Sequence, residues 1–240
     1  MPSLVLGLSF IGTHFHGWQF QPGLRTVQGE LERALKLILG KEHRVTGCCR
    51  TDAGVHARRY IASSNLESIP DLDKLKRALN GVLPNDIRVF SLELKERFNA
   101  RFDTIFKVYS YCIMTVQDPF LMPYCLFLNR EFDLQLLKTA WSSLVGLHDF
   151  RAFCKLEPKK NTRIFIDRAT VESAGGVITL KIGASHFLRY MVRRLVGCSL
   201  ALSQGKISFE NFKSALSGVS ICPFCAPPHG LTLEEVIPRA

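Results

Sequence analysis

The chain has 240 residues, 47% hydrophobic and 22% charged, with 31 Lys and Arg against 21 Asp and Glu and a net charge of +10. That length buries a core without covalent staples, and that balance excludes disordered, collagen-like and fibrous chains. No run of about 18 apolar residues occurs, which excludes a membrane-spanning helix, while the positive excess fits a polyanionic partner.

In chain order, residues 4–10 form an apolar, strand-like run followed by a Gly-rich turn through Gly12 and Gly17. Thr26 is placed to cap a helix whose Val27, Leu31, Leu35 and Ile38 share one stripe, ended by Gly40. Strands follow around Val45 and over 60–66, joined by the loop Arg50-Thr51-Asp52-Ala53-Gly54-Val55-His56-Ala57. A helix after Pro70 presents Leu72, Leu75 and Leu79 and closes at Asn80-Gly81, and residues 87–94 make the next strand. The order β-α-β-β-α-β is the split βαβ, or ferredoxin-like, plan.

The second part repeats that plan. Residues 106–114 read as a strand, and a helix over 133–145 presents Leu134, Leu137, Trp141 and Leu144. Strands over 164–171 and 177–182 pair across Gly175-Gly176, a two-residue hairpin signal. A long helix is expected over 186–202, a shorter one after Ser208 with Phe212, Ala215 and Leu216 inward, and a last strand over 231–237. The expectation is an α+β fold with two ferredoxin-like halves, residues 1–100 and 101–240. Together they would form a continuous, mainly antiparallel sheet with helices on one face and the other open to RNA.

The start of the chain lacks a basic n-region and a small-residue cleavage site, so no secretory signal is expected. The eight cysteines are then read as reduced thiols of a cytoplasmic protein. Cys222 and Cys225, with His229 nearby, raise the question of zinc, but no second pair at ligand spacing occurs and no metal is expected.

Three segments concentrate chemistry. The loop from Arg50 to His56 sets a carboxylate, a guanidinium, a hydroxyl and an imidazole beside Gly54, between strands, where loops commonly carry function. The alternative is an Asx-type turn in which Asp52 serves only nearby amides. In the expected 186–202 helix, Phe187, Leu188, Met191, Val192, Leu195 and Val196 form an apolar stripe, with Arg189 and Arg193 four apart on a neighbouring face, as are Tyr190 and Arg194. Basic faces are often merely solvated, but an arginine edging an apolar stripe can be aimed at a carboxylate. Lys107, Tyr109 and Tyr111 alternate onto one side of a strand. A base stacked on such a tyrosine gains about 1–3 kcal/mol; the alternative is an ordinary half-buried strand.

Read together, GTHFHGWQFQ, TVQGELERAL, CCRTDAGVHA, LNGVLPNDIRV, FNARFDTIFKVYSY, LVGLHDFRAF, HFLRYMVRRLVG and APPHGLTLEEV resemble, in order, the TruA family of tRNA pseudouridine synthases. The resemblance runs from Gly7 to Val236, with RTDAGVHA the most specific block. It implies isomerisation of uridine to pseudouridine at positions 38, 39 and 40, in the anticodon stem and loop of tRNA, by a homodimer that needs no metal or organic cofactor. It further implies Asp52 as the catalytic aspartate, Tyr109 as the tyrosine that contacts the target base and Arg193 as the partner of the aspartate. Arg50 is implied to help hold the target nucleotide out of the stack. Lys107, Tyr111, Arg189, Arg58 and Arg59 are further candidate RNA contacts. The chain departs from the family pattern at Phe10-Ile11, at Cys48-Cys49, at Arg58-Arg59-Tyr60 and at Val236-Ile237-Pro238. Three rivals stand beside this reading: a non-catalytic RNA-binding protein on the same fold, a pseudouridine synthase for another RNA, and a metal-dependent base-modifying enzyme. The last wants a His-x-Glu beside a Pro-Cys-x-x-Cys, and neither occurs.

Overall fold

The computed structural model describes residues 2–157 and 161–239. Its elements are β1 (Pro2–Phe10), α1 (Val27–Leu39), β2 (Thr46–Gly47), β3 (His56–Asn65), α2 (Leu72–Val82), β4 (Ile87–Glu96), β5 (Thr104–Met114), β6 (Leu126–Phe127), α3 (Leu134–Ser142), β7 (Gly146–Asp149), β8 (Arg163–Ala174), β9 (Val177–Ala184), α4 (Met191–Ser203), α5 (Phe209–Leu216) and β10 (Leu231–Pro238). They fall into two units. The first holds the residues up to Ile105 and those from Thr232 onward; the second runs from Phe106 to Leu231.

In the first unit the strand order is β4-β1-β3-β10. β1 is antiparallel to both neighbours, with Leu4, Leu6 and Leu8 opposite Ser64, Ala62 and Tyr60 on one side and Leu94, Leu92 and Val89 on the other. Those three leucines alternate onto one face, and each is wholly buried. Thr26 caps α1 by accepting from the Gly29 amide, and Gly40 ends it in the left-handed region (φ 74°). α2 lies against β4, where the Asn80 side chain bonds both the N–H and the carbonyl of Val89 (2.9 and 2.8 Å). Asn80 therefore ties the helix to the sheet, and the helix runs on to Val82.

The second unit orders its strands β5-β9-β8-β7, all antiparallel. The hairpin between β8 and β9 turns at Gly175 and Gly176, both at positive φ (57° and 78°), as a two-residue loop that follows the twist of its strands requires. Asp133 caps α3 and Ser208 forms a reciprocal capping box with Asn211 on α5. Trp141, Phe150, Phe153 and Phe212 are fully buried, and the Trp141 indole donates to the Lys181 carbonyl (2.8 Å).

Both units are mixed α and β with mainly antiparallel pairing, the class expected from sequence. Four details differ. β3 begins at His56 rather than at Tyr60. The short strand β7 has too few residues to show a period. β10 joins β3 in parallel, Thr232 opposite His56 and Leu233 opposite Ala57, so the last strand belongs with the first unit and not with the residues just before it. Finally, the helix expected from His186 starts only at Met191. Tyr190 sits at φ 65°, ψ 0°, a left-handed conformation through which a right-handed helix cannot propagate. Among the described residues no helix is long and apolar enough to cross a membrane.

Candidate active site

The loop that carries Asp52 leaves β2, passes Cys48 to Val55 and enters β3 at His56. A turn closes where the Asp52 backbone carbonyl accepts the Val55 N–H (3.2 Å), next to Gly54 at φ 79°. The backbone itself closes this turn. Residues 12–18 strap the loop in place. Trp18 N–H donates to the Thr51 carbonyl (3.2 Å), Gly54 N–H to the Phe15 carbonyl (3.3 Å) and Gly12 N–H to His56 Nδ1 (3.0 Å). The last bond makes His56 Nδ1 an acceptor. Gly17 is at φ 87°, and a Cβ on it would lie 2.5 Å from the Thr51 carbonyl oxygen. Trp18 stacks on Tyr60 with ring centroids 4.3 Å apart, and the Tyr60 hydroxyl donates to the Cys49 carbonyl. Asp52 itself is partly exposed, and Arg50, Arg58 and Arg59 are exposed. Arg58 lies 3.3 Å from Glu234, which offsets part of its charge.

The remaining candidates are in the second unit. Tyr109 on β5 is 6% exposed and meets Phe187 edge to face, centroids 5.2 Å apart. Tyr111 has no exposed surface, and its hydroxyl donates to the Pro227 carbonyl (2.9 Å). Burial pushes its phenol pKa up, with the Arg193 charge opposing that rise. Its ring lies in the core, and its hydroxyl anchors the 227 segment. Lys107 is also buried, so it is not the solvated surface cation that a phosphate contact calls for.

Arg193 lies in the first turn of α4. Its Nε donates to the Ala226 carbonyl (2.9 Å), and its guanidinium carbon is 5.5 Å from the centre of the Tyr190 ring. The exposed Arg189 lies 5.0 Å from the same ring centre and donates from Nη2 to the Tyr190 hydroxyl (3.2 Å). Arg189 and Arg193 are thus neighbours through a shared ring, not through four-residue spacing on a helix.

The expectation of eight reduced thiols is corrected for four of them. Cys112 is bonded to Cys125 and Cys198 to Cys222, while Cys48, Cys49, Cys154 and Cys225 take part in no disulfide. The first pair joins positions 13 apart and the second 24 apart. Cys222 is bonded outside the Cys222-Cys225 pair that raised the question of zinc. Among the described residues no group of three or more His, Cys, Asp or Glu is placed to hold a metal ion.

Sequence reasoning passed over the strap of Gly12, Phe15, Gly17 and Trp18, and over Tyr60. Its one visible signal was the pair of glycines ahead of the first helix.

A family described as tRNA pseudouridine synthase matches residues 140–237. The tRNA pseudouridine synthase A of Aquifex aeolicus is 45% identical, over 99% of this chain and 100% of that protein. The chain belongs to this family. Other tRNA pseudouridine synthase A relatives come from Hydrogenobaculum sp. (34% identical, 98% of this chain, 99% of the relative) and Dictyoglomus thermophilum (36% identical, 95% and 96%). Because the Aquifex aeolicus relative covers 99% of the chain, the likeness takes in the Asp52 loop as well as the part that the family match spans. A crystal structure of the archaeal box H/ACA sRNP Nop10-Cbf5 complex aligns at a TM-score of 0.37 and 12% identity, over 83% of this chain and 43% of that one, a likeness too slight to bear on the fold.

Proposed function

We propose that the protein isomerises uridine to pseudouridine in tRNA, at positions 38, 39 and 40 of the anticodon stem and loop, as a cytoplasmic homodimer with Asp52 as its nucleophile. The observation that carries this reading is the 45% identity to a tRNA pseudouridine synthase A over essentially the whole of both chains. The net charge of +10 supports a nucleic-acid substrate.

The reaction breaks the bond from uracil N1 to the sugar, turns the base and rejoins it through C5, whose hydrogen leaves as a proton while N1 takes one up. It is redox-neutral and transfers nothing to a third molecule. A carboxylate nucleophile divides one hard step into two easier ones, its partner being an electrophilic carbon of the target nucleotide. Asp52 acts ionised, and Arg193 stabilises that form and aims it, a guanidinium being suited to pair with both carboxylate oxygens. Tyr109 contacts the target base. A uridine stacked in a stem must be flipped out, at a cost of a few kcal/mol. Arg50 helps hold it there, and Arg58, Arg59 and Arg189 add phosphate contacts that offset the cost.

The test is to map pseudouridine, site by site, in tRNA treated with purified wild type and with Asp52→Asn. Wild type should convert the three anticodon-arm uridines; Asp52→Asn should convert none while binding tRNA within about threefold of wild type. Equal conversion by both would remove Asp52 from the chemistry, and conversion at other uridines alone would overturn the site assignment.

A further inference from the structure

We infer that Tyr190 is a positioning residue for Arg193, an inference that rests on the role given to Arg193 above. Among the described residues, only Arg97 and Tyr190 adopt positive φ without being glycine. Such a conformation strains any residue with a Cβ and favours glycine. Tyr190 occupies the N-cap of α4, yet its side chain makes no capping hydrogen bond. The strained position is therefore not explained by capping.

The ring is what the position delivers. Left-handed geometry just ahead of α4 brings the Tyr190 ring under Arg193, three residues on, and beside Arg189, one residue back. Backbone bonds hold the turn on both sides, Lys155 N–H to the Arg189 carbonyl and Arg194 N–H to the Tyr190 carbonyl, each 3.0 Å. Two contacts restrain Arg193 here. Its Nε is fixed on the Ala226 carbonyl, and its guanidinium lies against a π face, which attracts a cation. A flexible side chain held at two points loses little further entropy when its terminal N–H groups bind a carboxylate. Arg189, bonded to the phenol oxygen, holds the ring in turn.

The test compares kcat and KM for pseudouridine formation on full-length tRNA, together with thermal melting, in three variants. Tyr190→Phe keeps the ring and should turn over within about twofold of wild type. Tyr190→Leu removes the π face and should lose about tenfold in kcat with KM nearly unchanged, the scale of one cation–π contact. Tyr190→Gly relieves the backbone, so it should melt no lower than wild type and still lose about tenfold in kcat. In an Arg193→Lys background, Tyr190→Leu should cost nothing more. If Arg193→Lys alone leaves kcat untouched, the role of Arg193 falls and this inference falls with it. If Arg193→Lys is slow while Tyr190→Leu and Tyr190→Gly run at the wild-type rate, only the positioning role is overturned.

Discussion

Replacing Gly17 by alanine probes the strap that sets the Asp52 loop. Alanine at φ 87° carries a backbone cost of roughly 1 kcal/mol relative to glycine. The added Cβ also lies 2.5 Å from the Thr51 carbonyl oxygen, which must retreat about 0.9 Å to reach the 3.4 Å of ordinary contact. That carbonyl belongs to the peptide leading into Asp52, so the carboxylate moves with it. A misplacement of about 1 Å can cost on the order of 100-fold in rate. Gly23 supplies the matched control, for it has φ 74° and nothing within 4 Å of its would-be Cβ. Gly23→Ala should lose roughly 1 kcal/mol in denaturant melts and keep its rate. Gly17→Ala should lose more stability and about 100-fold in kcat, read as release of a C5 hydrogen label from tRNA. If the two variants behave alike in both assays, the strap does not set the loop.

Two further outcomes follow from the second unit. Tyr111→Phe leaves the Pro227 carbonyl without its donor and should cost about 1–3 kcal/mol at neutral pH. Because burial raises the folded-state phenol pKa, wild-type stability is full below the unfolded value of about 10 and falls as pH rises past it. The variant should show a flatter fall there, and parallel slopes in urea melts would refute the burial account. The cysteine pairing predicts four reactive thiols in unfolded, unreduced protein and eight after reduction. Eight before reduction would refute it, whereas linked pairs should each add roughly 3 kcal/mol by restricting the unfolded chain.

Local signals carried well from sequence to fold. Thr26, Asp133 and Ser208 cap the helices they precede, and Gly175-Gly176 turns the hairpin, because caps and tight turns are decided within a few residues. The helix misread over 186–190 shows the limit. Phe187 and Leu188 fit the apolar period of α4, but Phe187 packs on Tyr109 from a loop, and burial alone does not reveal which backbone achieves it. The partners of β10 and of the four bonded cysteines lie far along the chain, where a periodic pattern is silent. At the site, the residue types of the Asp52 loop stood out, whereas the strap that holds it is made mostly of backbone bonds, which leave no pattern of side chains beyond the glycines. The burial of Tyr111 was not legible, because a strand's alternation shows which residues share a side and not whether that side is covered.

The pairing of β10 with β3 orders events during synthesis. While the ribosome is still building residues 106–231, the strand that follows the Asp52 loop has an edge left unpaired at His56 and Ala57, since its parallel neighbour has yet to be made. An open edge of that kind invites association with other chains. The first unit is therefore completed only after the second, by residues that follow it in the chain. A deletion confined to 232–239 would injure the part of the molecule translated first.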